Sequence, residues 1–304
     1  MRHLYSFFLY CLLPFVLLRL FILGFRSRGY WSRWRERLGF VDSLADRRPV
    51  IWVHAVSVGE VEASKPLVQR LLKHKPQYRI VLTTVTPTGA ETALNRFGKQ
   101  VTHFYLPYDL PYSIKKFIYK VRPSLCLVME TELWPNMFFY CEQGDIPVIL
   151  ASARLSLRSL KGYMRFRELL CQTLDSTTRV LAQSKLDAER YLMLGCQPRK
   201  LSVIGNLKYD VEIPTGLIEK GESMRLNQFS NRSVWIAAST HSNEESLVLD
   251  AHRQVLEKIE DAILILAPRH PHRFEKVAKL CEKKTFELVR KSEDKPISAQ
   301  TNVY

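Results

Sequence analysis

The feature that most constrains the fold is an alternation that begins after residue 48. Short β-rich runs are separated by helical stretches: "VIWVHA" (50–55), "RIVLTTV" (79–85), "VTHFYLP" (101–107), "SLCLVME" (124–130), "IPVILAS" (146–152), "TRVLAQS" (178–184) and "KLSVIGN" (200–206). The helical segments include "PYSIKKFIYKVR" (111–122) and "SLKGYMRFRELLCQTL" (159–174). Strands covered on both faces read as near-continuous apolar runs, and parallel strands need a helical crossover between them. The pattern therefore predicts a doubly wound α/β domain over residues 49–208. Residues 209–232 lose periodicity and predict a linker. Alternation then restarts: strand 233–239, helix 243–259, strand 262–268, helix 271–284, strand 286–290. This predicts a second Rossmann-like domain over 233–304, incomplete because three strands are few for a doubly wound sheet.

The amino terminus is a separate region, residues 1–37. "LYSFFLYCLLPFVLLRLFILGF" (4–25) is apolar except for Arg19 and two weakly polar side chains, and long enough to cross a bilayer. No small-residue cleavage site follows, which disfavours a signal peptide. Pro14 and Arg19 leave a tilted or half-inserted anchor open, and a buried soluble helix is the plain alternative. Five arginines and one glutamate follow between residues 26 and 37; residues 1–48 hold nine arginines, no lysine and three acids, a net of +6. By the positive-inside rule the body is expected on the cytoplasmic side of the membrane. Trp31 and Trp34, interleaved with Arg33, Arg35 and Arg37, predict a short interfacial helix on anionic lipid.

Across all 304 residues, 45 Lys+Arg stand against 30 Asp+Glu, a net charge of +15. Such an excess suits an anionic partner. No zinc-finger spacing or aromatic RNP pattern is present, so nucleic acid is not expected. The six cysteines form no CxxC pair, which argues against a zinc ribbon, redox pair or disulfide scaffold. GxGxxG, P-loop and GxSxG are absent, which disfavours dinucleotide enzymes, NTPases and α/β hydrolases.

In open α/β sheets ligands collect past the carboxyl ends of strands, and the polar residues cluster there. Ser57, Gly59 and Glu60 follow the first strand, and Thr86, Thr88 and Gly89 the second. Glu130, Glu132 and Asn136 follow the fourth, Ser152 and Arg154 the fifth. In the second domain "STHSNEE" and "APRHPHR" occupy the same places. Glu60 has a bland reading, that it complements the dipole of the next helix at ~0.3–1 kcal/mol. Pro66 then requires either a kink or a helix beginning near Ser64. Glu130 and Glu132 share a strand face and suit a metal, a basic partner or sugar hydroxyls, with a buried salt bridge as the alternative. Arg269, His270, His272 and Arg273 sit at a strand-to-helix junction, where dipole and guanidinium together hold phosphate. His270 and His272 lack a third ligand, so no metal site is expected.

Taken in order, "WVHAVSVGEVEASKPL", "TTVTPTG", "ETELWPN", "ARLS", "GNLKYD", "STHSNEE" and "APRHPHRF" resemble the Kdo transferases, which add 3-deoxy-D-manno-octulosonic acid to lipid A precursors. The resemblance implies a GT-B fold of two Rossmann-like domains, the first for lipid acceptor and the second for the donor CMP-Kdo. It implies inverting transfer by direct displacement, independent of metal. Glu60, in the family's S-V-G-E motif, would be the catalytic base. Ser57, Gly59, Thr88, Glu130, Glu132 and Arg154 would shape the acceptor side. Ser239, Thr240, His241, Arg269 and His270 would hold the donor, with Arg269 on its phosphate. Three departures matter: Ser152 stands where the family has Asn, Asn243 where it has Gly, and its later Gly-Gly-His-Asn-Pro-x-Glu segment has no counterpart before Tyr304. A carboxy-terminally shortened form with part of the donor site is therefore expected. The rivals are a non-catalytic remnant that binds the lipid precursor, and another inner-membrane GT-B enzyme using a UDP-sugar.

Overall fold

A helix, α1 (Arg2–Arg26), precedes seven strands: β1 (Val50–His54), β2 (Arg79–Thr84), β3 (Val101–Tyr105), β4 (Pro123–Met129), β5 (Val148–Ala153), β6 (Arg179–Ala182) and β7 (Leu201–Val203). They form one sheet in the order β3-β2-β1-β4-β5-β6-β7, and every pairing is parallel. This computed structural model describes residues 1–44, 46–210, 213–229, 232–293 and 295–304. The chain divides into two units, Met1–Glu212 and Ile213–Tyr304. Of the predicted linker, Val211, Glu212, Ser230 and Asn231 lie outside the described residues.

All five residues of β1 are buried because helices cover both faces of the sheet. Its side chains alternate between two cores. Val50 and Trp52 join Phe117, Phe138 and Leu150 on one side, with Trp52 and Phe117 rings 4.9 Å apart. Ile51 and Val53 join Val61, Val68 and Phe97 on the other. Each such side chain, fully buried, contributes ~1.5–3 kcal/mol. The covering helices are α2 (Val58–His74), α3 (Pro87–Phe97), α4 (Pro111–Val121), α5 (Pro135–Gln143), α6 (Leu157–Tyr163), α7 (Arg167–Asp175) and α8 (Lys185–Leu194). Proline opens α3, α4 and α5, where its missing N–H costs nothing. Thr86, Ser156 and Ser184 cap α3, α6 and α8 by accepting a backbone N–H.

Several expectations are corrected. The helix predicted over 159–174 breaks at a 3-10 turn, Met164–Phe166, into α6 and α7. Pro66 does not delay α2, which starts at Val58 and runs through it; Ser64 is no cap, and its hydroxyl donates to Val61 O at 2.8 Å. The interfacial helix is instead two 3-10 turns, Arg28–Tyr30 and Trp34–Leu38, with Arg33 between them at φ 54. Two of its arginines turn inward. Arg37 is buried and donates to Val85 O at 2.8 Å, and Arg33 donates to His103 O while pairing with Glu36 at 2.6 Å.

The second unit holds α9 (Leu217–Met224), β8 (Val234–Thr240), α10 (Glu244–Leu256), β9 (Ile263–Pro268) and α11 (Phe274–Lys283). β8 and β9 pair in parallel. α9 lies inside the predicted linker; it is only eight residues long, with Gly221 inside it, too short for its periodicity to stand out. The strand predicted over 286–290 is absent. Phe286 turns into the core, and Leu288 makes only a bridge to Val303, which itself lies beside Leu264 of β9.

Candidate functional site

From β1 and β4, neighbours in the sheet, the chain winds outward in opposite directions, so a crevice opens past their carboxyl ends. Three carboxyl groups stand there. Glu60 is in the first turn of α2, and Glu130 and Glu132 are in the connection from β4 to α5. Glu60 reaches back so that its Oε2 accepts the Val56 N–H at 2.7 Å. That oxygen is held by the turn ahead of the helix, since Val56 precedes the N-cap residue Ser57. Burial pushes Glu60 up to about 8; the Val56 hydrogen bond and Lys208 oppose the rise, while Glu132 and Glu130 add to it. At neutral pH the ionised form expected of a base is therefore the minority form, but the base is stronger for it.

Glu132 is driven up to about 7 by burial and by Glu130. The half-buried indole of Trp134 is near enough to temper that rise, though its N–H falls short of full hydrogen-bond geometry. Glu130 takes the salt bridge, with Lys208 Nζ 2.8 Å from its Oε1. Its backbone adopts φ 54. A non-glycine residue in the left-handed region costs of order 1 kcal/mol and persists where its surroundings over-determine it. Here Tyr191 donates to Glu130 O at 3.4 Å, and Thr131 donates to Arg154 O at 2.5 Å. These bonds bind the ends of β4 and β5 together. Arg154 itself is exposed.

Ser57 is the N-cap residue of α2 yet makes no side-chain cap bond. Gly59 is exposed, and a β-carbon there would meet nothing within 4 Å, so the fold does not demand glycine; clearance above the helix terminus is what it provides. Gly89 differs, since a β-carbon would lie 2.9 Å from Thr86 Oγ1 and 3.4 Å from Ser57. Glycine there lets the turn bearing exposed Thr88 pack on the Ser57 turn. Ser152, buried, takes φ 54, a conformation that favours the family's asparagine.

In the second unit the ends of β8 and β9 lie side by side: Arg269 N donates to Thr240 O at 3.0 Å, and the His241 and His270 rings are 5.8 Å apart. Ser239 takes φ 61. Asn243, in the glycine position, takes φ 76, so the turn survives the change. Arg269 is exposed, whereas Arg273 is committed to a bidentate pair with buried Glu245 at 2.6 and 2.9 Å. Arg273 therefore drops out of the expected phosphate cradle. His241 brings a third imidazole to His270 and His272, but among the described residues no group of three His, Cys, Asp or Glu is placed to hold a metal ion.

Lys208 was missed by residue-level reasoning. Its one signal in the sequence is its place in "GNLKYD" (205–210).

Comparison with known proteins agrees with the motif order. The family profile described as 3-deoxy-D-manno-octulosonic-acid transferase (kdotransferase) matches residues 32–211. The chain is 40% identical over 303 residues to the 3-deoxy-D-manno-octulosonic acid transferase of Haemophilus influenzae, covering 99% of this chain and 71% of that one. It is 32% identical to the Bordetella pertussis transferase, over 91% of this chain and 66% of the relative. Among solved structures, UDP-GlcNAc 2-epimerase from Neisseria meningitidis aligns over 84% of this chain and 71% of that one, at TM-score 0.52 and 14% identity. A glycosyltransferase from Rickettsia africae aligns over 85% of this chain and 68% of that one, at TM-score 0.51 and 16% identity. These distant likenesses bear on fold alone, and the fold is GT-B-like α/β. By profile, identity and motif order, the chain belongs to the 3-deoxy-D-manno-octulosonic acid transferase family.

Proposed function

We propose that this chain moves Kdo from CMP-Kdo to a lipid A precursor, lipid IVA, with inversion and without a metal, on the cytoplasmic side of a bacterial inner membrane. The observation that carries this reading is Glu60: a half-buried carboxyl, raised to about 8, at the sheet's switch point with one oxygen committed to Val56 N. As the lipid's sugar hydroxyl attacks the anomeric carbon of Kdo, its proton passes to Glu60. The bond from that carbon to the CMP phosphate breaks, and CMP leaves with the electron pair. General-base assistance of this kind contributes typically ~10²–10⁴-fold.

Ser57, Gly59, Thr88, Glu130, Glu132 and Arg154 would receive the acceptor. Ser239, Thr240, His241, Arg269 and His270 would hold the donor, with exposed Arg269 on the phosphate. A monophosphate leaving group needs less charge neutralisation than a diphosphate, which supports a metal-free step.

The test is Kdo transfer by membranes carrying the chain, with tetra-acylated lipid A precursor and freshly generated CMP-Kdo, products read by mass. Transfer lost in Glu60→Ala supports the reading, as does competition by CMP but not UDP and indifference to a chelator. Binding of the precursor with no transfer would replace it with the non-catalytic, lipid-binding role.

A further inference from the structure

α1 is long and apolar enough to cross a membrane, but both of its ends are fastened to the same unit. At its start, Arg2 and Ser6 donate to Asn136 Oδ1, each at 3.1 Å, and Tyr5 OH donates to Asp109 Oδ2 at 3.1 Å. Arg2 also sits 3.6 Å over the Phe139 ring. Just beyond its end, Trp31 Nε1 donates back to Phe21 O at 2.9 Å, and Arg33 and Arg37 then bond to His103 O and Val85 O. A helix of 25 residues is ~37 Å long. If it crossed a hydrocarbon core of ~30 Å, its first turn would lie on the far side, out of reach of Asn136 and Asp109.

The burial pattern says the same. Arg2, Ser6, Leu9, Leu13, Leu20 and Gly24, three to seven residues apart, are buried or half-buried and form one helical stripe. The opposite face carries Phe7, Phe8, Phe15, Leu18, Ile22 and Phe25, which are 55–71% exposed. A contiguous apolar face of this size marks an interaction surface. Its neighbour α4 continues the surface with exposed Tyr112 and Tyr119, and Tyr112 N donates to Tyr10 OH at 3.5 Å. Lys116 Nζ lies 3.2 Å over the Phe40 ring, which Arg35 also approaches at 5.4 Å. Aromatic and basic side chains around an apolar stripe suit the headgroup level of an anionic bilayer. A second copy fits poorly, since α4 has three lysines and no acid, and residues 1–48 carry net +6, so two such rims would repel.

We infer that α1 does not span the membrane but lies in its plane, its outer face in the acyl boundary of an anionic leaflet and its inner stripe on the first unit. Asp109 and Asn136 follow β3 and β4 at the carboxyl end of the sheet, so the same edge that carries the three carboxyls is brought to the lipid. This placement is independent of which sugar is transferred.

The test uses the full chain in membrane vesicles. Cys11, the exposed thiol among the described residues, is replaced (Cys11→Ser), and His3→Cys or Lys161→Cys provides a single exposed thiol at the start of α1 or on the body. A membrane-impermeant maleimide is applied to right-side-out and inside-out vesicles. Labelling of residues 3 and 161 from the same side is expected; labelling of residue 3 from the opposite side overturns the inference and makes α1 a span. In a second arm, Lys115→Glu with Lys116→Glu should lower partition onto phosphatidylglycerol vesicles by roughly tenfold and leave phosphatidylcholine vesicles unaffected. Partition indifferent to lipid charge, or a stable dimer in place of vesicle binding, would assign the face to another occupant.

Discussion

Lys208 Nζ lies 2.8 Å from Glu130 Oε1, and the same ammonium offsets the rise of Glu60 across the crevice. One cation thus serves two of three clustered carboxyls. Its side chain is 43% exposed, so as a stabilising ion pair it is worth little, ~0–1 kcal/mol. Its consequence is electrostatic. Lys208→Met is expected to change the urea midpoint only slightly while raising the pH at which Glu60 ionises. The rising limb of the pH dependence of kcat/KM would move to higher pH, and added salt would shrink the shift. A limb that stays in place would show that Lys208 acts only locally on Glu130.

Glu60 sets a pH dependence of its own. With the carboxyl at about 8, kcat/KM should climb about tenfold per unit below that value and level above it. Glu60→Gln should lower the rate by ~10²–10⁴-fold and remove the limb. Stability runs the other way. The folded group is raised from its ordinary 4.5 to about 8, so between those values the unfolded chain binds fewer protons, and folding weakens as pH rises. The glutamine variant lacks this loss, so its thermal midpoint should gain on the parent from pH 5 to 8.

How much of this was legible varies with what each residue's signal depends on. The seven strands could be read because a two-sided parallel sheet leaves continuous apolar runs such as Ile51-Trp52-Val53. α9 could not, because eight residues with Gly221 among them give little more than two turns of periodicity. Phe286 and Leu288 misled in the opposite sense, since both are apolar and core-facing while the ladder that would make them a strand is missing. In the crevice, Glu60, Glu130 and Glu132 stood at strand ends where chemistry is sought first. Lys208 is 78 residues from Glu130, in a 3-10 turn after the last strand of the sheet. Only sheet order brings the two together, and periodicity carries no trace of that. The inward turn of Arg33 and Arg37 was hidden for a similar reason: composition counts charges but does not say which are paired.

The turn before α10 offers a clean test of backbone conformation. Asn243 is exposed and sits at φ 76, ψ −16, and its side chain makes no cap bond. Its role is to tolerate the left-handed region. Asn243→Gly should be neutral or slightly stabilising, whereas Asn243→Ala should cost ~1 kcal/mol, read from denaturant midpoints. Equal effects of the two would mean that the amide group, not the conformation, is what the turn requires.

Arg273 and Glu245 form the pair on which the second unit's strand ends depend. Glu245 is only 1% exposed, closed to water though close under the surface. Burial alone would raise its carboxyl, but hydrogen bonds from Arg273, its own backbone and Thr240 outweigh that and hold it below the usual range. Because the folded value is depressed, the stability it contributes is present above its ordinary 4.5 and is lost as the pH falls through the folded value. Removing the arginine strands a buried carboxylate and breaks two charge-assisted hydrogen bonds, so Arg273→Ala should cost ~3 kcal/mol in denaturant unfolding at pH 7. Protonating Glu245 relieves the stranded charge, so the deficit of the variant should narrow as the pH is taken below 5. Arg269→Ala, next door and exposed, should leave stability within ~0.5 kcal/mol. If Arg273→Ala unfolds no more easily than Arg269→Ala, the pair is not what anchors Thr240 and the turn that follows it.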